Sequence, residues 1–314
     1  MKGCNGTLEV KEINYQCFGK CVKISNGIID AIVTINLGPR IVFFGLTGEE
    51  NIFYEDSNRA YRITTEVQTT GNDTTFYYYG GHRLWLSTER SAKSGLPDNE
   101  PVVYSVLSDS VRFIPPKQDA SAFQTGMEIV MGEGAADTMI VHTAKNCSKE
   151  VQTCGISAIT MLSGDGLLIL PQNTEDDITF RPNRSIVLWP GTDIRDERLH
   201  LGNRYLSVRQ ETGCSKLLKV GSNNILGWAA FVGRKYTFLK RYVHNPQAVY
   251  PDFGSSCEFS LHPDFAEIQS LSPVYRVEPG MGIKHVENLS IFRTHTCVDP
   301  EDEDGIERYI NNLN

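Results

Sequence analysis

Short runs of alternating apolar and polar residues, separated by turn residues, most constrain how this chain can fold. Residues 8–13 and 21–25 alternate in this way, and Asn26-Gly27 follows the second run. An Asn-Gly pair between two alternating runs is a strong hairpin signal. Long helical stripes are scarce, and closely spaced strands without intervening helices argue against a parallel α/β sheet. The pattern therefore predicts an all-β chain of antiparallel strands.

Predicted strands continue along most of the chain. After the first hairpin they cover residues 28–37, 40–46, 52–54, 102–107, 111–114, 127–131, 138–143, 156–161, 167–170, 186–189, 205–208, 228–232, 236–240, 256–261, 266–271 and 283–292. A hairpin turn is predicted at residues 163–166, and short helices at residues 196–201 and 301–313. We expect residues 1–314 to form one domain of roughly twenty strands, with a short acidic or helical tail at about residues 300–314.

Composition limits the partners and the compartment. Lys and Arg number 30 against 38 Asp and Glu, a net charge of −8, whereas proteins that bind phosphate backbones are usually basic. We therefore expect no nucleic-acid partner. No long apolar run is present and no apolar segment follows Lys2, so neither a membrane span nor a signal peptide is predicted. The expected location is the cytoplasm, with a trimmed leader as the alternative, and the eight scattered cysteines are interpreted as free thiols.

Familiar catalytic and cofactor motifs are absent from the sequence. There is no dinucleotide-binding glycine fingerprint, no phosphate-binding loop, no H-E-x-x-H and no nucleophile elbow. The seven histidines contain no pair spaced four residues apart. The sequence therefore predicts no cofactor and shows no preformed metal site.

One loop concentrates the residue types that recognise sugars. Residues 77–89 contain Gly80, Gly81, His82, Arg83, Trp85 and Glu89. The two glycines allow a positive φ or a close backbone approach. An aromatic face packs on the C–H face of a sugar, while Arg and His donate to hydroxyls and Glu accepts from them. The segment predicts a carbohydrate pocket, and its alternative is a plain turn with an aromatic anchor.

A second candidate group is centred on Glu267. It alternates with apolar neighbours in the strand 266–271, so it projects either into a cavity, where it can act as a general base, or into water. Arg40 follows Gly-Pro in an apolar strand and faces either a ligand or a buried acid. Trp189 forms either a pocket wall or part of the core. We also assign Tyr250 and Asp252, in the segment 245–259, to substrate binding.

Taken together, these segments resemble the galactose mutarotase-like (aldose 1-epimerase-like) proteins. The resemblance is carried by the order of residues 21–27, 37–41, 48–53, 80–85, 265–269, 278–280 and 287–292. It implies a β-supersandwich of large antiparallel sheets whose concave face binds a sugar. It also implies that Glu267 takes the anomeric hydroxyl proton while a histidine protonates the ring oxygen. The region 145–161, where the family keeps that histidine, has none, so either His82 takes the acid role or the mutarotase reaction is absent.

Three functions follow from this resemblance. The first is acid–base interconversion of sugar anomers with Glu267 as base. The second is a carbohydrate-binding protein without turnover, and the third is lyase or hydrolase chemistry on a sugar. A small sugar or oligosaccharide is the expected partner, whereas the sequence specifies neither the sugar nor the oligomeric state.

Overall fold

The computed structural model describes residues 8–64, 75–87, 97–118, 121–175 and 181–313. Strands in the first half of the chain are β1 (Glu9–Asn14), β2 (Lys20–Ser25), β3 (Ile29–Thr34), β4 (Ile41–Leu46), β5 (Arg62–Thr64), β6 (Thr75–Tyr77), β7 (His82–Ser87), β8 (Val103–Val106), β9 (Ser110–Ile114), β10 (Phe123–Met131), β11 (Asp137–Asn146) and β12 (Gln152–Ser163). Strands in the second half are β13 (Gly166–Pro171), β14 (Ile186–Leu188), β15 (Leu199–Leu201), β16 (Tyr205–Gln210), β17 (Leu218–Ser222), β18 (Trp228–Gly233), β19 (Tyr236–Tyr242), β20 (Cys257–Leu261), β21 (Phe265–Leu271), β22 (Tyr275–Val277) and β23 (Gly282–Arg293). The helices are α1 (Pro251–Gly254) and α2 (Glu303–Asn311). The all-β prediction is thereby confirmed.

These strands form two large antiparallel sheets. The first sheet has 11 strands in the order β1-β2-β3-β4-β7-β12-β21-β20-β17-β14, with β22 paired to β12. The second has 10 strands in the order β15-β16-β13-β18-β19-β23-β11-β10-β9-β8, and β5 and β6 make a small separate ribbon. Some neighbouring strands, such as β7 with β12 and β11 with β23, are far apart in the chain, and hairpin signals do not specify these pairings.

The main core fills the space between the two large sheets. From the first sheet it takes residues such as Phe44 and Ile268, and from the second Phe113 and Phe238. Because side chains alternate across a strand, every strand that buries one face here presents its other face outward. On the outer face of the first sheet, Tyr54, Tyr61 and Tyr78 pack against a smaller cluster of Ile159, Met161 and Phe265.

The two loop glycines behave as the sequence predicts. Gly80 and Gly81 have φ of 84° and 73°, and a Cβ at either would lie 2.1 Å from a backbone oxygen, of Tyr54 and Ile41 respectively. Only glycine fits a backbone this close at positive φ. The pair therefore fixes the path into β7.

Two local predictions are wrong. The turn at residues 163–166 does not close a hairpin, because β12 is already paired with β7 and β21 and has no free edge. It leads the chain from the first sheet to the second, where β13 pairs with β16. The predicted helix at residues 196–201 is a turn followed by β15. There the Asp196 side chain accepts from the backbone N–H of Arg198 at 3.1 Å, and such local bonds compete with helix formation.

The predicted terminal helix is confirmed as α2, and it packs on the protein. Ile306 is fully buried against the outer face of the second sheet. The acidic residues of this predicted tail form specific contacts, since Asp302 caps the helix and Glu303 and Asp304 pair with Arg204. Among the described residues, no helix is long and apolar enough to cross a membrane, and the seven described cysteines are free of disulfides.

Candidate functional site

Glu267 lies on the outer face of the first sheet. In β21, Ala266 and Ile268 belong to the core between the sheets, so alternation places Glu267 and Gln269 on the opposite face. The Glu267 side chain is nevertheless nearly buried, since the residue is 5% exposed. We call this outer surface the site face, and define it by Arg83, Trp85, Glu258, Glu267 and Gln269.

The Glu267 carboxylate is held by its own strand and approached by a histidine. Gln269 Nε2 donates to Glu267 Oε2 at 2.9 Å, and His262 Nε2 lies 4.0 Å from the same oxygen. The backbone N–H of His262 bonds to the Phe265 carbonyl at 2.9 Å, which closes the tight turn between β20 and β21. A carboxyl group and an imidazole thus lie side by side.

A cluster of aromatic rings lies around Phe265, two residues before Glu267 in β21. The His262 ring stacks on Phe265 at 4.3 Å between centroids, Tyr54 stacks on Phe265 at 4.7 Å, and Tyr61 meets it edge-on at 5.0 Å. Burial, followed by the nearby charge of Glu267, raises the pKa of Tyr78. Ring faces of this kind offer apolar contact area around a polar centre, which suits a ligand with both C–H and hydroxyl groups.

Arg83 brings a buried positive charge to the site face. Its Cζ lies 4.5 Å from the ring centroid of Phe76 and 4.8 Å from that of Trp85, and its Nε donates to the Leu84 carbonyl at 3.3 Å. Burial, followed by the charge of Arg40, lowers the pKa of Arg83 to about 9. Its Nη1 has no hydrogen-bond partner within the described part of the chain. A buried donor without an acceptor is costly, so this N–H would be stabilised by an acceptor oxygen.

A second carboxyl group, Glu258, is buried on the same face. It pairs in register with Gln269, and Lys219 Nζ lies 2.7 Å from its Oε2 and 4.4 Å from the Trp189 ring centroid. Burial raises the pKa of Glu258 to about 7 even with Lys219 beside it, and the nearby Asp252 adds to the shift. With this pKa, the Glu258 carboxyl group changes between its neutral and charged forms near neutral pH.

His82 lies on the other side of the sheet. It pairs in register with Thr160, which pairs with the core residue Ile268, and its Nδ1 is 2.9 Å from Thr160 Oγ1. Because facing residues share one side of a sheet, His82 points into the core. The predicted pairing of His82 with Glu267 as acid and base therefore does not form.

Arg40 faces an acid, the second of its two predicted alternatives. Its Nη2 lies 2.8 Å from Asp98 Oδ1 and donates to the Tyr77 carbonyl at 3.0 Å, while Nη1 donates to the Tyr78 carbonyl. The side chain is fully buried. Arg40 therefore stabilises the loop before β7. Its guanidinium group is already paired with Asp98 and two backbone carbonyls, so it is poorly placed to bind a substrate.

The remaining predicted residues divide between the site and its surroundings. Trp189 covers Lys219 beside Glu258, and the exposed Asp252 lies close enough to influence Glu258. Tyr250 instead stacks on His244 at 4.6 Å and accepts from a backbone N–H, so it shapes the preceding loop. Trp85 lies on the site face, whereas Glu89 is outside the described residues.

Sequence reasoning missed two titratable members of this site, His262 and Glu258. Glu258 is a charged residue within the apolar strand 256–261, and this feature could have identified it as a candidate site residue. His262 sits in the turn before the strand that holds Glu267, and a tight turn at that point would have predicted their proximity. Neither belongs to a motif with fixed spacing.

Comparison with solved structures shows which fold this is. A protein from Synechocystis sp. PCC 6803 matches over 94% of this chain and 100% of its own, with a TM-score of 0.56 and 11% identity. A galactose mutarotase-like protein from Lactobacillus casei matches over 87% and 100%, with a TM-score of 0.55 and 10% identity. A TPR-domain containing protein from Parabacteroides distasonis matches over 90% of this chain and 48% of its own, with a TM-score of 0.55 and 13% identity.

The fold is therefore galactose mutarotase-like, as the sequence resemblance implies. No family model matches the sequence, and no curated protein matches it significantly. At 10–13% identity the likeness concerns the arrangement of the strands, so the function must be argued from the site itself.

Proposed function

We propose that the site face binds a sugar and that Glu267 acts as the base in interconverting its anomers. The observation that carries this proposal is the nearly buried Glu267 carboxylate, which is oriented by Gln269 and lies 4.0 Å from His262, beside the aromatic cluster around Phe265. A general base must be within hydrogen-bond reach of the proton it removes, and this carboxylate is fixed in position beside a group of opposite role.

Interconversion of the anomers requires that one proton is removed from the sugar and that one is added to it. Glu267 removes the proton from the anomeric hydroxyl. The bond between C1 and that oxygen then becomes the double bond of a carbonyl, and the bond from C1 to the ring oxygen breaks. His262 supplies the proton that the ring oxygen takes up. Rotation about the C1–C2 bond and reversal of these steps give the other anomer. Both oxygens are bonded to the same carbon, so adjacent acid and base groups can serve them.

The proton donor is assigned to His262 because β12 contains no histidine. Among the described basic side chains, His262 is the one within 4.0 Å of a Glu267 carboxylate oxygen. Arg83 Nη1 is assigned to a substrate hydroxyl, since it is buried without a partner, and Trp85 beside it offers a ring face. Glu267 and Arg83 thus have the roles that the sequence predicts for them. His262 takes the acid role that the sequence assigns to His82.

The test is mutarotation of freshly dissolved aldoses, followed by polarimetry or by NMR exchange between anomers. Wild type should accelerate at least one aldose of a panel, and Glu267→Gln should lower the rate by about 100-fold or more. His262→Asn should also lower it. Glu128→Gln, which changes a carboxylate on the outer face of the second sheet, is the matched control and should leave the rate unchanged.

A carbohydrate-binding protein without turnover is the second candidate. It is favoured by the absence of a histidine from β12, where the resemblance expects the general acid. In that case an aldose binds wild type and Glu267→Gln with similar affinity, and neither accelerates mutarotation. Saturation-transfer NMR on the same panel separates the two functions.

A further inference from the structure

A compact polar cluster lies between the two sheets, away from the site face. It joins His82 of β7, His142 of β11 and Glu287 of β23. The side chains of all three are fully buried. Nothing in the proposed acid–base chemistry uses them, so their burial needs another explanation.

Three donor atoms of this cluster form a small triangle. His82 Nε2 lies 2.9 Å from His142 Nε2, and each of these nitrogens lies 3.4 Å from Glu287 Oε2. Ligand atoms bound at about 2.1 Å to one ion lie about 3.0 Å apart in octahedral and about 3.4 Å apart in tetrahedral coordination. The triangle therefore has the dimensions of three adjacent ligand positions around one metal ion.

Neighbouring groups hold the triangle in place and leave its inner oxygen free. Glu287 Oε1 accepts from Lys240 Nζ at 2.7 Å and from Ser270 Oγ at 2.6 Å, and His82 Nδ1 is fixed by Thr160 Oγ1 at 2.9 Å. Glu287 Oε2 has no hydrogen-bond partner among the described residues. Outer contacts of this kind orient metal ligands, and a buried carboxylate oxygen without a partner is costly.

The chemistry of the three groups also suits a metal ion, because imidazole nitrogens and a carboxylate oxygen offer lone pairs to a cation. One hydrogen bond between the two imidazoles would still leave Glu287 Oε2 unpaired, whereas one ion satisfies all three atoms.

We propose that His82, His142 and Glu287 bind one divalent first-row transition-metal ion. Two imidazoles and a carboxylate suit Zn²⁺ and Fe²⁺. Because the ligands come from both sheets and are fully buried, the ion fastens the sheets together and enters while the chain folds. Lys240 occupies the other oxygen of Glu287 and does not compete with the ion for Oε2. This site is independent of the proposed sugar chemistry.

The test measures metal directly. The untagged chain is expressed in medium supplemented with Zn²⁺, and a second sample is refolded from urea in the presence of Co²⁺. We expect about one Zn²⁺ per chain by elemental mass spectrometry, visible d–d absorption from Co²⁺, and a higher Tm for the metal-loaded chain. His142→Asn and Glu287→Gln should each lose the ion, whereas His244→Asn, which changes a histidine outside the triangle, should keep it.

Wild-type chain without stoichiometric metal after both routes overturns the proposal. Equal metal content in wild type and both ligand variants overturns it as well, because the ion would then be bound elsewhere. If a ligand variant does not fold, the metal content and the Co²⁺ spectrum of wild type still decide, since neither measurement needs a variant.

Discussion

His82 and Arg83 are consecutive residues of β7 whose side chains point to opposite faces of the first sheet. His82 lies in the polar cluster between the sheets, and Arg83 lies on the site face near Phe76 and Trp85. The two residues that directly follow Gly80-Gly81 therefore lie in two separate environments. Changes at these neighbours should accordingly alter different properties of the protein.

Replacing Arg83 should affect ligand binding more than stability. Arg83→Met keeps the aliphatic packing over Phe76 and Trp85 but removes a buried N–H that has no partner. We expect an unfolding free energy equal to wild type or higher, and an aldose affinity lower by about 10-fold or more, as for a lost hydrogen bond to a charged group. Urea denaturation and NMR titration measure the two quantities. A large loss of stability with affinity retained would show that Arg83 is structural.

Replacing Arg40 should have the opposite effect. Arg40→Met leaves Asp98 and two backbone carbonyls without their donor. Breaking such a pair costs about 3 kcal/mol of unfolding free energy. Urea denaturation checks this value, and the double variant Arg40→Met with Asp98→Asn should recover part of the loss. A change within about 0.5 kcal/mol would contradict the structural role.

Glu258 should make stability depend on pH in a defined direction. Its pKa is raised to about 7 in the folded chain against 4.5 for an ordinary glutamate, so the folded state binds more protons between these values. The contribution of Glu258 to wild-type stability should therefore fall as pH rises from about 4.5 through 7, by up to about 3 kcal/mol. Glu258→Gln lacks this loss, so its stability relative to wild type should increase over that range. Urea titrations across the range test this, and a difference that does not change with pH would refute it.

Gly81 should tolerate no side chain. It has φ of 73°, and an added Cβ would lie 2.1 Å from the Ile41 carbonyl oxygen. Gly81→Ala should cost more than about 3 kcal/mol, because steric overlap adds to the backbone strain. Gly48→Ala is the matched control: its φ is 80° but nothing lies within 4 Å, so it should cost about 1–2 kcal/mol. Equal effects of the two changes in thermal or urea denaturation would contradict this reasoning.

Much of the local structure could be read from the sequence. Alternation located most strands, the Asn26-Gly27 turn does join β2 to β3, and the polar alternation of Glu267 with Gln269 placed both on one face. These features depend on residues close together in the chain. The turn at residues 163–166 was misread because its outcome depends on whether β12 has a free edge, and distant strands occupy both edges.

The sequence by itself determined which residues alternate, where the chain turns and which glycines are needed. The tertiary structure decided which face of each strand meets the second sheet. That choice put His82 beside His142 and Glu287, and left Glu267 on the outer face of the first sheet. The physical reason is that alternation defines two faces without saying which is buried. Burial is fixed when the two sheets stack, and the stacking brings together strands far apart in the chain.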